Sequence, residues 1–175
     1  MFKPLILFIS LVFVSQTIGS DFNKGIETIE LRKSAMQGMW LRIKRLSPYL
    51  DVDENLEYGP ELAQQDAQDI SLLLEQTLDL WPSYSNLSTK NYTNATPAVW
   101  VLPEYFNKLY NQALISSKNL ENNLSKGDFE ASEKAMCNLG NACGTCHSSF
   151  RRLLTSDLAN EVSAWSGKYL ENCSN

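Results

Sequence analysis

Apolar residues recur with helical spacing along most of this 175-residue chain, and no segment alternates convincingly like a strand. Over residues 22–46 they form the i, i+3, i+4, i+7 stripe of an amphipathic helix, which Ser47-Pro48 is expected to end. A second helix is predicted to open at Gly59-Pro60, where proline fits the first turn, and to stop at Trp81-Pro82.

The second half of the chain shows the same pattern after a polar loop at 82–97. A third helix is predicted over about 103–125, with Lys126-Gly127 as its end. Asp128 caps a fourth helix that reaches about residue 154, and a short amphipathic segment follows at 157–170. The fold class predicted is all-α, an antiparallel four-helix bundle with a short C-terminal helical extension. Such bundles build cofactor sites between their helices, although the pattern equally fits a bundle without a cofactor.

The first 20 residues differ from the rest of the chain. Lys3 precedes an apolar run at 5–14, and small and polar residues follow, which is the layout of a secretory signal peptide. An uncleaved anchor is the alternative, but the run is shorter than the roughly 20 residues that a bilayer requires. We therefore predict cleavage after Gly19 or Ser20. The domains expected are a signal peptide at 1–20, a helical domain at 21–154 and an extension at 155–175.

The charge balance limits the partners. The chain carries 15 basic and 20 acidic side chains, a net charge of −5, and loss of Lys3 with the leader leaves −6. Nucleic-acid binding requires clustered lysine and arginine, so it is not expected. No later segment is apolar enough to span a membrane, so no membrane association is expected after cleavage.

The sequence NACGTCHSSFRR contains two of the four cysteines, Cys143 and Cys146, and the only histidine, His147. Random placement would give C-x-x-C-H in about 5 of 10,000 chains of this composition, so coincidence does not account for it. A redox dithiol, a zinc site and a covalently attached haem are the candidates.

The dithiol and zinc interpretations fit the surrounding sequence poorly. A thioredoxin-like dithiol lies at the start of a helix after a strand, whereas this motif lies deep in a predicted helix. Zinc would require four ligands around one ion, and Cys137 would have to join the motif. One straight helix cannot wrap these side chains around a single ion, since residues 146 and 147 point about 100° apart.

Covalent haem explains the spacing. Cys143 and Cys146 are i, i+3 neighbours on one helical face, so their sulfurs can reach two vinyl groups of one porphyrin. His147 follows on the same helix and can place its ring under the iron as the proximal ligand. Export agrees with this interpretation, because c-type haem is attached outside the bacterial cytoplasm. The prediction is one covalent haem c and its iron in a periplasmic protein.

A C-x-x-C-H near the end of a four-helix chain resembles cytochrome c′ and its low-spin relatives, the class II c-type cytochromes. "CHSSFRR" is similar to the family's C-H-x-x-[FY]-[RK] ending, which places Phe150 and Arg151 in the haem pocket. "LRKSAMQGM" resembles its first-helix pattern, in which Arg32 is followed four residues later by the bulky Met36. "PAVW" resembles the start of its third helix, which would pack Trp100 near the haem. The resemblance covers about residues 22–154.

The resemblance implies that Met36 faces the open side of the iron. If its sulfur binds the iron, the haem is six-coordinate and the protein is an electron carrier, which is the interpretation we favour. If Met36 only packs there, the haem is five-coordinate and binds NO or CO. An ordinary core methionine is the third alternative. A peroxidase-like enzyme is not expected, since no second histidine is available for acid–base catalysis. The family also implies a homodimer, and the redox partner proteins are not identifiable from the sequence.

Arg32 and the second pair of cysteines give expectations that do not depend on the family resemblance. Arg32 lies on an apolar stripe, so it requires either a buried partner, such as a haem propionate, or a path to water at the edge of the stripe. Cys137 lies 19 residues before Ser156, and Cys173 lies 17 after it. A turn near Ser156 would bring these cysteines to similar heights, so we predict a disulfide between them in an oxidising compartment.

Overall fold

The computed structural model describes residues 4–51, 57–154, 156–162, 166–171 and 173, with their side chains except at 4–18 and 161–162. The helices are α1 (Pro4–Leu50), α2 (Pro60–Thr77), α3 (Ala98–Val101), α4 (Pro103–Ser125), α5 (Phe129–Phe150) and α6 (Asp157–Val162). α1 packs on α2, α2 on α4 and α4 on α5. The predicted all-α four-helix bundle is thereby confirmed, with the four long helices as its members.

The first helix is longer at both ends than the pattern predicted. α1 passes through Ser47-Pro48 and ends at Leu50, because Leu46 and Leu50 are both fully buried in the core and Pro48 interrupts only the final turn. Its backbone also runs unbroken from residue 4, so the sequence expected to be a leader joins the first bundle helix directly. Residues 1–3 and the side chains of 4–18 lie outside the described part of the chain, and cleavage stays a prediction. Within the described residues, no helix is long and apolar enough to cross a membrane.

The second helix begins as predicted but ends earlier. Gly59 is its extended N-cap, and Pro60 takes the first turn, where no amide bond is lost. α2 ends at Thr77 instead of reaching Trp81, and in the turn beyond it the Leu80 carbonyl accepts a hydrogen bond from Arg32 of α1. The polar loop that follows contains two short 3₁₀ turns, Ser83–Ser85 and Ser88–Lys90.

Local sequence signals fix the helices of the second half. α4 covers the predicted residues, and Gly127 behind it takes a positive φ of 68°. Asp128 accepts a hydrogen bond from the Ala131 amide at 3.1 Å, as expected of an N-cap. α5 ends at Phe150 and not near residue 154, because the Phe150 carbonyl accepts from the Thr96 amide at 2.8 Å and takes the chain into an extended bridge.

The C-terminal extension is less helical than the pattern predicted. α6 is only six residues long, and the chain at 166–171 is irregular. It runs antiparallel to α5, since Ser166 lies against Gly144 and Gly167 lies against Gly140. A Cβ atom at either α5 glycine would overlap a carbonyl of the extension, so only glycine permits this close approach.

A polar network joins α1 to α2. The buried Asp66 of α2 accepts two hydrogen bonds from Arg45 of α1 and one, at 2.7 Å, from the Tyr58 hydroxyl. Arg42 of α1 binds Asp69 one turn further along α2 at 2.6 Å. These contacts fix the register of the two helices.

A candidate haem site between the helices

A largely apolar cavity of about 510 Å³ lies inside the bundle, within the size range of small-molecule and cofactor sites. All four long helices contribute to its wall, together with Arg151 and Tyr169 from beyond α5. The candidate residues on its wall are Arg32, Met36, Cys143, Cys146, His147, Phe150 and Arg151. The fold therefore brings seven of the eight predicted haem-pocket residues to one space, and Trp100 is the exception discussed below.

The two motif cysteines and the histidine stand on the last two turns of α5. Cys143 and Cys146 are half-buried, form no disulfide and line the cavity, as does His147. Burial raises the pKa of the Cys143 thiol to about 11 and that of Cys146 to about 12. A redox dithiol requires a lowered pKa, because the thiolate is the nucleophile. The environment of these thiols therefore opposes the thioredoxin-like interpretation.

The zinc interpretation loses one of its ligands. Cys137 is joined to Cys173 by a disulfide, with the two Cα atoms 5.5 Å apart. Its sulfur therefore cannot join the motif residues as a zinc ligand. Among the described residues, no group of three or more metal-binding side chains is arranged to hold an ion.

The α1 wall faces the motif with mostly apolar side chains. Met36 lines the cavity, with Met39 and Trp40 beside it. Lys33 and Gln37 also reach the wall, which the sequence analysis did not propose. The stripe pattern could have indicated both, since Lys33 lies three residues before Met36 and Gln37 three before Trp40.

Arg32 is fully inside the protein, with only 4% of its surface exposed. Its Nη1 donates to the Leu80 carbonyl and to the Ser85 hydroxyl, each at 2.7 Å, and its guanidinium lies 4.3 Å from the Trp81 ring centroid. The alternative of an arginine reaching water at the edge of the stripe is therefore wrong. Burial lowers its pKa to about 10, so it stays charged at neutral pH. Among the described residues, its buried Nη2 has no hydrogen-bond partner.

Trp81, and not Trp100, forms the aromatic wall. The Trp100 indole donates to the Trp81 carbonyl at 3.0 Å, and the two rings lie 6.3 Å apart, so Trp100 supports Trp81 from outside the cavity. The buried Trp81 Nε1 has no partner in the described part of the chain. Sequence analysis missed Trp81 because it was assigned to the end of a helix that in fact stops at Thr77.

The end of α5 closes one side of the cavity. Phe150 is buried against Phe106 with ring centroids 5.3 Å apart. Arg151 follows in extended conformation, bridged to Ala95, and lines the cavity. Burial lowers the pKa of Arg151, although the guanidinium keeps its charge at neutral pH.

Tyr169 of the extension is a wall residue that the motifs did not reveal. It is 8% exposed, lines the cavity and directs its hydroxyl toward the sulfur of Cys143. Burial raises its pKa well above the ordinary value. Its position depends on the glycine contacts and on the disulfide, which no local pattern encodes.

These residues fit a covalently attached haem c. The cavity offers two sulfurs and an imidazole on one helix, a thioether on the opposite helix and apolar walls for a flat ring. It also has unmatched donors at Arg32 and Trp81, which suit an anionic group such as a propionate. A cofactor with carboxylates would supply the acceptors that the protein lacks there.

Comparison with known proteins gives the same result. The sequence profile of the family described as Cytochrome C′ matches residues 27–151. A cytochrome c′ from Rubrivivax gelatinosus superposes with a TM-score of 0.65 at 22% identity, covering 73% of this chain and 97% of that one. One from Thermochromatium tepidum gives 0.66 at 20% identity, covering 74% and 97%. A nitric oxide complex of a mutant cytochrome c prime from Alcaligenes xylosoxidans gives 0.66 at 16%, with the same coverage. No curated protein matches the sequence.

Proposed function

The chain belongs to the cytochrome c′ family, and from this premise we propose that it is an electron-transfer protein that works through its haem iron. Proteins of this family bind one covalent haem c. The cofactor supplies a one-electron redox centre. The family consists of haem-binding proteins and not of known enzymes.

The chain's own residues would attach and orient the cofactor. Cys143 and Cys146 would form the two thioethers, and His147 would be the proximal ligand on the same helix. Met36 of α1 would occupy the opposite side, where its sulfur can act as the second axial ligand. Arg32 would hold a propionate through Nη2.

One observation carries the proposal: the motif on α5 and Met36 on α1 line the same largely apolar cavity. Methionine and histidine ligation raises the potential of a haem and suits a carrier that changes oxidation state without changing its ligands. The largely apolar walls would limit the solvent that has to reorganise when an electron arrives.

Binding of NO or CO is the second candidate function. It is favoured by a protein of the same fold whose structure is a nitric oxide complex, and by the apolar α1 wall, which admits a small uncharged ligand. In this case Met36 would pack over the site without binding the iron. The choice between the two functions depends on that one sulfur.

Absorption spectra of the purified holoprotein test the proposal, recorded in both oxidation states and then with CO and NO. A low-spin spectrum that CO does not change supports the electron carrier. A high-spin spectrum that shifts with CO or NO supports gas binding. Met36→Leu should convert the first spectrum into the second, and the control Met136→Leu, in the core of α5 away from the cavity, should not. A protein without haem after expression with the attachment machinery contradicts both functions.

We propose further that residues 1–20 are a leader that is removed and that the mature protein is periplasmic. The charged start, the short apolar run and the small residues at 19 and 20 support this proposal. N-terminal sequencing of the exported protein tests it. A first residue at 20 or 21 is expected, and an intact Met1 on the exported protein would contradict cleavage.

A further inference from the structure

The C-terminal extension is anchored beside the haem motif at three points. Gly167 has a φ of +70° and lies against Gly140, while Ser166 lies against Gly144. The disulfide between Cys137 and Cys173 fixes the far end. The segment therefore crosses the α5 turns that carry the motif, and it lies beyond residues 27–151, which the family profile covers.

This anchoring places one aromatic side chain in the cavity. Tyr169 lies between α1 and α5, with its ring 6.0 Å from that of Trp40 and its hydroxyl directed toward the sulfur of Cys143. Attachment of a haem converts that sulfur into a thioether, which has no proton and can only accept a hydrogen bond. The Tyr169 hydroxyl is a donor placed to reach such a sulfur.

We propose that Tyr169 is a positioning residue of the haem site: its hydroxyl donates to the thioether sulfur of Cys143, and its ring closes the cavity between α1 and α5. This inference rests on the proposed attachment of haem at Cys143. A donor to the sulfur withdraws electron density from the porphyrin, and a closed cavity excludes water. Both effects favour the reduced, less positively charged iron.

The midpoint potential of the holoprotein is the measurement that tests this role. Tyr169→Phe removes only the hydroxyl and is expected to lower the potential while the haem content stays unchanged. The matched control is Tyr84→Phe, because Tyr84 is exposed on the loop after α2 and does not line the cavity. Its potential should equal that of the wild type. Equal potentials for Tyr169→Phe and the control would overturn the proposal.

A second variant tests the anchor. The double substitution Cys137→Ser with Cys173→Ser should lower the potential in the same direction as Tyr169→Phe, since it releases the segment that holds the tyrosine. A potential unchanged from the wild type would count against the proposal, because the released segment would no longer hold Tyr169 beside Cys143. If the wild-type protein carries no haem, the proposed function fails instead, so the two failures are distinguishable. If the double variant folds poorly, the midpoint potential of Tyr169→Phe still tests the proposal.

Discussion

Two buried charged residues in this bundle have opposite surroundings. Asp66, between α1 and α2, and Arg32, beside the cavity, are each 4% exposed. Asp66 accepts hydrogen bonds on both carboxylate oxygens, from Arg45 and Tyr58. Arg32 has two acceptors for Nη1, but within the described residues nothing accepts from Nη2. A satisfied buried charge holds the fold together, whereas an unsatisfied one indicates a ligand.

The same contrast extends to their neighbours. The network around Asp66 ends at Arg42 and Asp69, which bind each other. Beside Arg32 lies Trp81, whose buried Nε1 also lacks a partner in the described part of the chain. Two unmatched donors on one cavity wall are difficult to explain as packing errors, because each costs about 1–3 kcal/mol when buried. A cofactor with carboxylates would supply acceptors for both donors.

The largest expected effect concerns the two motif thiols before haem attachment. Their pKa values of about 11 and about 12 in the folded chain exceed the ordinary value of 9.0. Above pH 9 the unfolded chain therefore binds fewer protons than the folded one, and the stability of the apoprotein should fall as the pH rises toward 11. Alkylation rates and denaturant unfolding measured from about pH 7 to about pH 11 test this. The holoprotein, whose sulfurs no longer titrate, is the control, and equal pH profiles would contradict haem attachment at these sulfurs.

Removal of the satisfied charge should affect stability and leave the haem unchanged. Asp66→Ala deletes the acceptor of Arg45 and Tyr58, and we expect a loss of about 2 kcal/mol, reduced because Arg45 is partly exposed and regains water. Denaturant unfolding measures it. Asp79→Ala, at an exposed position near the end of α2, should change stability by less than about 0.5 kcal/mol. An altered absorption spectrum for Asp66→Ala would contradict the separation of the two regions.

Removal of Arg32, the buried charge with an unpaired donor, should instead change the midpoint potential of the haem. Arg32→Met keeps the length of the side chain but removes a positive charge beside the proposed propionate, so the ferric state gains relative stability. We expect the midpoint potential to fall by about 60 mV, which is a tenfold change for a one-electron couple. Redox titration measures the shift. Arg42→Met, in the network with Asp69, is the control, and an equal fall in that variant would show that the effect is not specific to the cavity.

The smallest effect is expected at an exposed ion pair. Lys118 of α4 binds Glu75 of α2, and about half of each side chain is exposed (53% and 46%). Lys118→Ala should cost about 0.5 kcal/mol or less, because solvent screens the pair. A loss as large as that of Asp66→Ala would show that burial is not what distinguishes the two networks. Denaturant unfolding of the two variants side by side decides this.

Helix existence and capping could be predicted because their signals are local. The glycine behind α4 and the aspartate before α5 act on residues within one turn, so the sequence pattern shows them directly. The C-x-x-C-H spacing is equally local, and it placed three cavity residues on one helix.

The remaining site residues depend on contacts between distant segments. Arg32 donates to the carbonyl of Leu80, 48 residues further along the chain in the turn after α2, and Trp81 of that turn lines the cavity whereas Trp100 does not. Tyr169 reaches the cavity only because glycines on α5 let a distant segment approach. Neither event leaves a periodic pattern, so neither could be predicted from the sequence.

The disulfide also governs how this protein can mature. Among the forms with one or two disulfides, only the one that joins Cys137 to Cys173 and leaves Cys143 and Cys146 reduced keeps both motif sulfurs for the porphyrin. The bond closes a segment of 36 residues that contains the attachment site. Oxidation of the motif thiols and haem attachment would therefore use the same sulfurs. A chain with the wrong disulfide would carry no haem until thiol–disulfide exchange restores the reduced motif.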